Sequence, residues 1–359
     1  MGKYELSLAT DYVSKWTFDE AVREIFQNAI DAGNYAWNYN PQTQILSISN
    51  DGAQLEPQTL LLGCTSKSGD DNTIGQFGEG YKLALLVLTR SGKCVKIYNG
   101  KSREVWLAKL VNSRRYKTRV LTIFTEKLSI WEKPEDKVTF EIEGILEEEF
   151  ETTKSHNLHV EPPIGEVLTT SRGRILKDAS YKGRIYVNGL YVCNDDTLSY
   201  GYDFKPQYVQ LDRDRTTVRT FDVRWETSAM WLEFGDEDEC IQLCIDGKVD
   251  VQYLHSRATQ HSIRHSLRET FHNKYGQNAV PCGDQGEVDE IRGFYPKCKP
   301  VVASETTCSL LREDILSEYT REYEELSIRE KFEKWYEMYV IDVGREGEHV
   351  WQSLLDELN

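Results

Sequence analysis

Long apolar runs are missing from this chain. The longest, Leu83–Leu88, is far shorter than the roughly 20 residues that a helix needs to cross a bilayer. The opening residues, Met1-Gly2-Lys3-Tyr4-Glu5-Leu6-Ser7, carry no secretory hydrophobic region, so a cytoplasmic location is the default expectation. Cys-x-x-Cys pairs are also missing. Cys240 and Cys244 are spaced to share a helix face, but no second pair among the eight cysteines has metal-ligand spacing. Reduced thiols are expected instead. Positive charge is scarce, with 43 Lys and Arg against 59 Asp and Glu, a net charge of −16. Such a chain repels a phosphate backbone overall, which disfavours extended nucleic-acid binding. A local basic patch would overcome this, and two stretches qualify: Ser113-Arg114-Arg115-Tyr116-Lys117, and the group Arg213, Arg215, Arg219 and Arg224. Internal repeats and low-complexity tracts are absent.

Of the 359 residues, 39% are hydrophobic and 11% aromatic, enough to build a core. Thr17-Phe18-Asp19-Glu20 reads as a capping box opening a helix. Behind it Ala21, Val22, Ile25, Phe26, Ala29 and Ile30 recur at helical spacing, and Gly33 is a C-cap. Gln44–Ser49 alternates as a half-buried strand and ends in the turn Asn50-Asp51-Gly52. A short helix is expected near 56–62, then a polar, glycine-containing loop from Gly63 to Gly80, then an apolar helix from Tyr81. Strands follow at Cys94–Tyr98, Glu104–Leu110, Val120–Phe124 and Val138–Ile142, with Asn99-Gly100 as a type I′ hairpin signal between the first two. Helices followed by a run of antiparallel strands predict an α+β fold: an α/β sandwich with helices on one face of the sheet. Glu161-Pro162-Pro163 marks a break. A second hairpin turns at Asn188-Gly189. The stretch His261–Ala303 reads as helix, strand, helix, strand, and a charged helical stretch follows. The expected segments are 1–155, then a second α+β region at 156–255, then a small α/β unit with C-terminal helices at 256–359.

Three elements carry chemistry. On the first helix, Glu24, Asn28 and Asp31 are spaced i, i+4, i+7 and lie on one stripe, away from the apolar face. Asn50-Asp51-Gly52 closes a strand, where a turn presents a side chain to a ligand edge. Ile74-Gly75-Gln76-Phe77-Gly78-Glu79-Gly80-Tyr81-Lys82 lets the backbone approach an anion, and the helix beginning there offers free N–H groups to phosphate. Gly100-Lys101-Ser102 has the tail of a P-loop, but Val95 stands where the first glycine is required, so that reading is excluded.

In this order the three elements resemble the GHKL superfamily of ATP-binding proteins, which includes gyrase B, the ninety-kilodalton heat-shock chaperones, MutL and the MORC ATPases. Glu24-Ile-Phe-Gln-Asn28-Ala-Ile-Asp31-Ala32 is similar to the family's N box, and Ile74–Gly80 to its glycine-rich lid. The likeness covers residues 10–145 and is nearest the chaperone, MORC and MutL-like branches. It implies a Bergerat-like sandwich that binds ATP and Mg²⁺ and hydrolyses ATP slowly. Glu24 would be the general base, and Asn28 would hold Mg²⁺ through its carboxamide oxygen. Gly75, Gly78 and Gly80, with Phe77 among them, would meet the nucleotide. Lys82 either reaches a phosphate or caps a solvated turn. Asp31 supports the adenine pocket or caps structure locally. Thr139 stands where the family often places a threonine near the adenine, or is an ordinary strand residue. The family's adenine-binding aspartate, in D-x-G-x-G, is replaced by Asn50 if Gly52 is the first glycine, and Gln54 then replaces the second. Shifted by one, Asp51 takes the role. Lys205, Arg213 and Arg215 are candidates for a basic group directed at the γ-phosphate. The expected function is an ATP-driven conformational switch or clamp on a protein partner or a second copy. The alternatives are a non-hydrolysing ATP-responsive scaffold and a MutL- or topoisomerase-like clamp on DNA.

Overall fold

Burial alternates along most strands, and that alternation fixes which face of each sheet is covered. The computed structural model describes residues 2–61, 80–129, 135–212, 217–234, 238–257, 261–319, 326–339 and 344–357. They fall into two compact units: Met1–Thr169 with Gly173–Asp195 and Tyr200–Val218, and Thr170–Arg172 with Asp196–Ser199 and Arg219–Asn359.

The first unit contains an antiparallel sheet of seven strands: β1 (Gly2–Ala9), β2 (Tyr35–Asn40), β3 (Ile45–Asp51), β4 (Cys94–Asn99), β5 (Glu104–Ser113), β6 (Thr118–Lys127) and β7 (Lys137–Glu143). Their spatial order is β1-β6-β5-β4-β7-β3-β2. The register aligns Ile48 with Phe140, Phe140 with Ile97, and Ile97 with Trp106. That row faces the helices α1 (Phe18–Ala32) and α2 (Gly80–Arg90), as the ring contact between Tyr81 and Phe140 shows. Val22, Ile25, Phe26 and Ala29 of α1 are buried there, and α2 is buried over all of Lys82–Leu88. A helix apolar all round needs cover on every side, and α2 packs on α1 as well as on β4 and β5. A third helix, α3 (Glu147–Ser155), also packs on α1. The expected sandwich with helices on one face is present. β1 and β2 are additions to it, the short helix near 56–62 is a 3-10 turn at Pro57–Leu60, and the acidic run Glu147–Glu151 opens α3.

A second sheet in this unit has the order β11-β10-β12-β9-β8, with β8 (Val167–Thr169), β9 (Gly173–Leu176), β10 (Arg184–Val187), β11 (Leu190–Asn194) and β12 (Gly201–Phe204). β10 and β12 are parallel and the other pairs antiparallel. The β10–β11 hairpin turns at Asn188-Gly189 with φ of 49° and 77°, the two positive values that a type I′ turn requires. The first hairpin differs from expectation. Asn99 pairs with Glu104, so the loop holds residues 100–103, and positive φ falls at Arg103. The break expected at 155 lies inside this unit. His156 stacks on Tyr191 with ring centroids 4.3 Å apart and meets Asp19 of α1 at 2.6 Å, and Asn157 bridges to Leu190.

The second unit is mainly helical: α4 (Thr220–Leu232), α5 (Asp238–Ile245), α6 (Leu254–Arg257), α7 (His261–Tyr275), α8 (Gln285–Phe294), α9 (Glu305–Leu316), α10 (Ile328–Tyr339) and α11 (Gly344–Glu357). The expected boundary at 255 falls within it. Strands β13 (Ala279–Cys282) and β14 (Lys299–Val302) pair in parallel around α8, which is the predicted helix-strand-helix-strand order. Asp284 caps α8 by accepting from the Glu287 N–H at 2.9 Å. Trp351 of α11 stacks on Phe332 and Tyr336 of α10. Among the described residues no helix is long and apolar enough to cross a membrane.

Candidate functional site

The N-terminus of α1 is fixed by its capping box, in which Glu20 accepts from the Thr17 N–H at 2.7 Å and from the Thr17 hydroxyl. One turn on, Glu24 is fully buried, 3.8 Å from the Arg23 guanidinium. Burying a carboxylate is costly unless it is paired or put to use. Asn28 donates its Nδ2 to the Glu24 carbonyl at 2.7 Å. A carbonyl accepts only, so the amide group is oriented and its Oδ1 turns away from the helix backbone. That oxygen makes no hydrogen bond among the described residues. Asp31, one turn further along the same stripe, is half-buried.

Gln27 carries a signal that the motif reading passed over. It is 2% exposed, and its Nε2 meets no acceptor among the described residues. A buried donor left unmatched costs about 1–3 kcal/mol, and an acceptor brought by a ligand would relieve it. The signal in the sequence was a polar residue directly before Asn28, next to the apolar face.

The end of α1 is tied to the strand turn. Asn50 is half-buried and donates Nδ2 to the Ala29 and Gly33 carbonyls, 2.9 Å each. The Asn50 amide therefore faces α1. Asp51 is exposed, and its N–H is held by the Asn34 carbonyl at 3.0 Å. Gly52 has φ of 70° and donates to the Asp136 carbonyl at 2.7 Å. Beyond the turn, the buried Asn99 donates Nδ2 to the Leu55 carbonyl at 2.6 Å. Sequence reasoning took Asn99 for a turn residue. It is the last residue of β4 and fastens residues 53–56 to the sheet. Gly100 beside it has no room for a side chain, because a Cβ would stand 1.7 Å from the Glu135 carbonyl oxygen.

Gly75, Phe77 and Gly78 lie outside the described residues. Gly80 is the first residue of α2. The two residues after it reach back to the chain that precedes residue 62. Tyr81 donates its hydroxyl to the Thr59 carbonyl at 2.9 Å, and Lys82, fully buried, donates to the Leu61 carbonyl. Burial pushes the Tyr81 phenol up to about 12. Of the two roles left open for Lys82, the structure shows a third, a backbone tie. Residues 59–61 and 80–82 are thereby fixed to one another on the helix face of the sheet.

Thr139 is not brought to this side. Its register partners are Ser49 and Tyr98, which occupy the uncovered face, whereas Asn50 pairs with Val138 and Val138 with Asn99. A one-residue offset reverses the face of a strand residue, so the position opposite Asn50 holds a valine. Thr139 instead lines a groove of about 530 Å³ on the uncovered face with Ser47, Ser49, Tyr98, Lys137 and Glu141. Lys205, at the end of β12, is exposed, and Arg213 and Arg215 lie outside the described residues.

The donor set suits Mg²⁺ of the kind bound through one protein oxygen, phosphate oxygens and water. Asn28 supplies an oriented neutral oxygen beside a buried carboxylate. Among the described residues no group of three or more His, Cys, Asp or Glu is placed to hold a metal by itself, so the ion would need the ligand's own oxygens.

What the described residues define is an α+β protein with an antiparallel sheet, helices on one face and a helical second unit. No protein-family model and no curated protein matches the chain. Among solved structures it is similar to the ATPase and transducer domains of DNA topoisomerase II from Balamuthia mandrillaris, at 17% identity and a TM-score of 0.24, over 40% of this chain and 43% of that one. The likeness spans less than half of either chain, and at that level it establishes neither a shared activity nor a shared ligand.

Proposed function

We propose that the chain binds Mg-ATP through the helix face of its first unit and hydrolyses it as a GHKL-type switch. The observation that carries the reading is the state of α1. A fully buried Glu24 and an Asn28 whose carboxamide oxygen is turned outward by its own helix lie one turn apart. A solvated polar face, the plain alternative for this spacing, would leave Glu24 exposed. Bound Mg²⁺ would neutralise phosphate charge and draw electrons from the bond that breaks. Asn28 holds and orients, Glu24 takes the proton from the attacking water, and Asn50 offers Oδ1 to the base. Ahead of Gly80, the glycine-rich segment that the family resemblance assigns to the phosphates lies outside the described residues, and Thr59, Leu61, Tyr81 and Lys82 tie its two flanks together. Closure of that segment on the γ-phosphate would change the surface offered to a protein partner or to a second copy.

Glu24→Ala tests the reading, with ATP turnover and nucleotide binding measured side by side. Retained binding with turnover reduced at least about 100-fold is expected, the range for removal of a general base. Wild-type protein that binds ATP tightly without turnover would assign a scaffold instead. Absence of ATP binding in the wild type would end the proposal.

A further inference from the structure

The β5–β6 hairpin concentrates positive charge on a chain of the opposite sign. β5 and β6 pair in register from Glu104↔Lys127 to Ser113↔Thr118, so residues 114–117 form the tip. Arg114, Arg115, Lys117 and Arg119 are all exposed, and Tyr116 among them is 39% exposed. None of the four cations forms an ion pair among the described residues. Elsewhere many cations are matched: Lys93 with Glu149, Lys96 with Glu143, Arg174 with Asp203, and Arg268 with Glu318. Glu5, which meets Ser113 at the base of the tip, is already engaged, by Lys3 at 2.7 Å and by the Ser113 hydroxyl at 2.7 Å. Those two contacts hold it below the ordinary carboxylate range, and Arg115 is the smallest of the influences on it.

The tip is also ordered. Tyr116 donates its N–H to Ser113 Oγ at 3.2 Å, and the Arg115 guanidinium sits 5.4 Å from the Tyr116 ring centroid. The tip gathers four exposed cations within six residues of a chain whose net charge is −16. Four side chains without an ion pair, gathered within residues 114–119, have no ionic role in holding the fold, and their complement is an external anion.

We infer that this hairpin tip is a docking point for the phosphate backbone of nucleic acid. Three arginines favour phosphate, since the guanidinium fork meets two phosphate oxygens at once. An exposed tyrosine interleaved with them gives a stacking surface for a base, which an acidic protein would not use. The remaining negative charge of the chain confines contact to the tip, so the footprint is short and binding is governed by counterion release. The inference uses no residue of the nucleotide site and does not rest on the ATP reading.

The test is fluorescence anisotropy of the full chain, without nucleotide, on a labelled 20-mer as single strand and as duplex between 50 and 200 mM KCl. Four phosphate contacts give a slope of log K against log salt of roughly −2.8 for the single strand and −3.6 for the duplex. Over this fourfold change in salt, affinity should fall roughly 50-fold and 150-fold respectively. The slopes and relative affinities distinguish the two forms. Arg114→Glu with Arg115→Glu should weaken binding at least tenfold at 50 mM salt with an unchanged melting temperature. Arg292→Glu with Lys297→Glu, also exposed cations, should leave binding unchanged. No binding at 50 mM salt, or binding that the tip variant keeps, overturns the inference. Displacement of the oligonucleotide by poly-glutamate of equal charge at equal concentration also overturns it, and assigns the tip to an acidic protein.

Discussion

Asn50→Asp places a carboxylate at the turn that closes β3, and the structure says that it should harm this chain. Asn50 Nδ2 donates to two carbonyls at the C-terminal end of α1, Ala29 in its last turn and Gly33 at its cap, at 2.9 Å each. Which end of the amide faces them is settled by chemistry, because both partners are acceptors. Each bond contributes a net ~0.5–1.5 kcal/mol. The site is half-buried, so water takes up part of the loss, and Asn50→Ala should cost about 1–2 kcal/mol. For a domain of 150–250 residues that lowers the melting temperature by about 2–8 °C. Aspartate is worse than alanine. It has no donor at neutral pH, it sets a carboxylate against two carbonyl oxygens, and it stands at the negative end of the α1 dipole, which adds about 0.3–1 kcal/mol. The expected order of stability is wild type, then Asn50→Ala, then Asn50→Asp, read from thermal melts at 222 nm and from urea midpoints at pH 7. An Asn50→Asp variant as stable as Asn50→Ala, or more so, would refute the clamp and free Asn50 to be a base contact alone.

Two further substitutions address the ties around this site. Tyr81 is raised by burial to about 12, above its ordinary value near 10, so the folded state holds the proton more tightly than the unfolded chain. Its contribution is therefore complete below pH 10 and is lost as pH rises from 10 to 12, up to about 3 kcal/mol. Urea midpoints between pH 9 and 11.5 should fall less steeply for Tyr81→Phe than for the wild type, and equal slopes would contradict the assignment. Asp203, buried on β12, accepts from Arg174 Nε at 2.9 Å and Nη2 at 2.6 Å through one oxygen, and from the Gly189 N–H at 2.6 Å through the other. Asp203→Ala strands both partners and should cost roughly 2–4 kcal/mol. Arg174→Ala leaves the Gly189 bond intact and should cost clearly less in the same denaturant titration.

Where a local pattern decided the structure, the sequence could be read. The start of α1 follows from its capping box and apolar spacing, and its end from Gly33, because caps and helical faces depend on residues a few positions apart. The order α7–β13–α8–β14 was legible for the same reason. β2 was not, although Tyr35, Trp37 and Tyr39 alternate. Its other residues include Asn38 and Asn40, which locally resemble a turn, and its pairing with β3 supplies what propensity does not. β1 commits Leu6 and Leu8 to the core, while Lys3 and Tyr4 stay exposed, so half its pattern is silent. Asn99 shows the limit most sharply. Beside a glycine it carries every local mark of a turn, yet it is buried because Leu55, 44 residues away, needs its amide.

Strand parity fixes which side chains of β3, β7 and β4 share the helix face, where the proposed function would seat a base. The row running from Asn50 through Val138 to Asn99 lies on that face, and Ser49, Thr139 and Tyr98 lie on the other. Asn99 is committed to the Leu55 backbone, and the Asn50 amide nitrogen to the end of α1. A base seated on this row would meet one neutral oxygen, Asn50 Oδ1, above a valine, where the family pattern supplies a carboxylate and a threonine hydroxyl. The missing threonine and the missing second glycine at Gln54 then have one consequence under the proposed function: base recognition would rest on a single acceptor. Under the proposed function most of the affinity would come from the phosphate end, where Asn28 and the ion it would hold lie. The same geometry explains why an asparagine can stand at position 50. It serves α1 with its nitrogen and keeps an oxygen that would meet a ligand, and an aspartate could serve only the second.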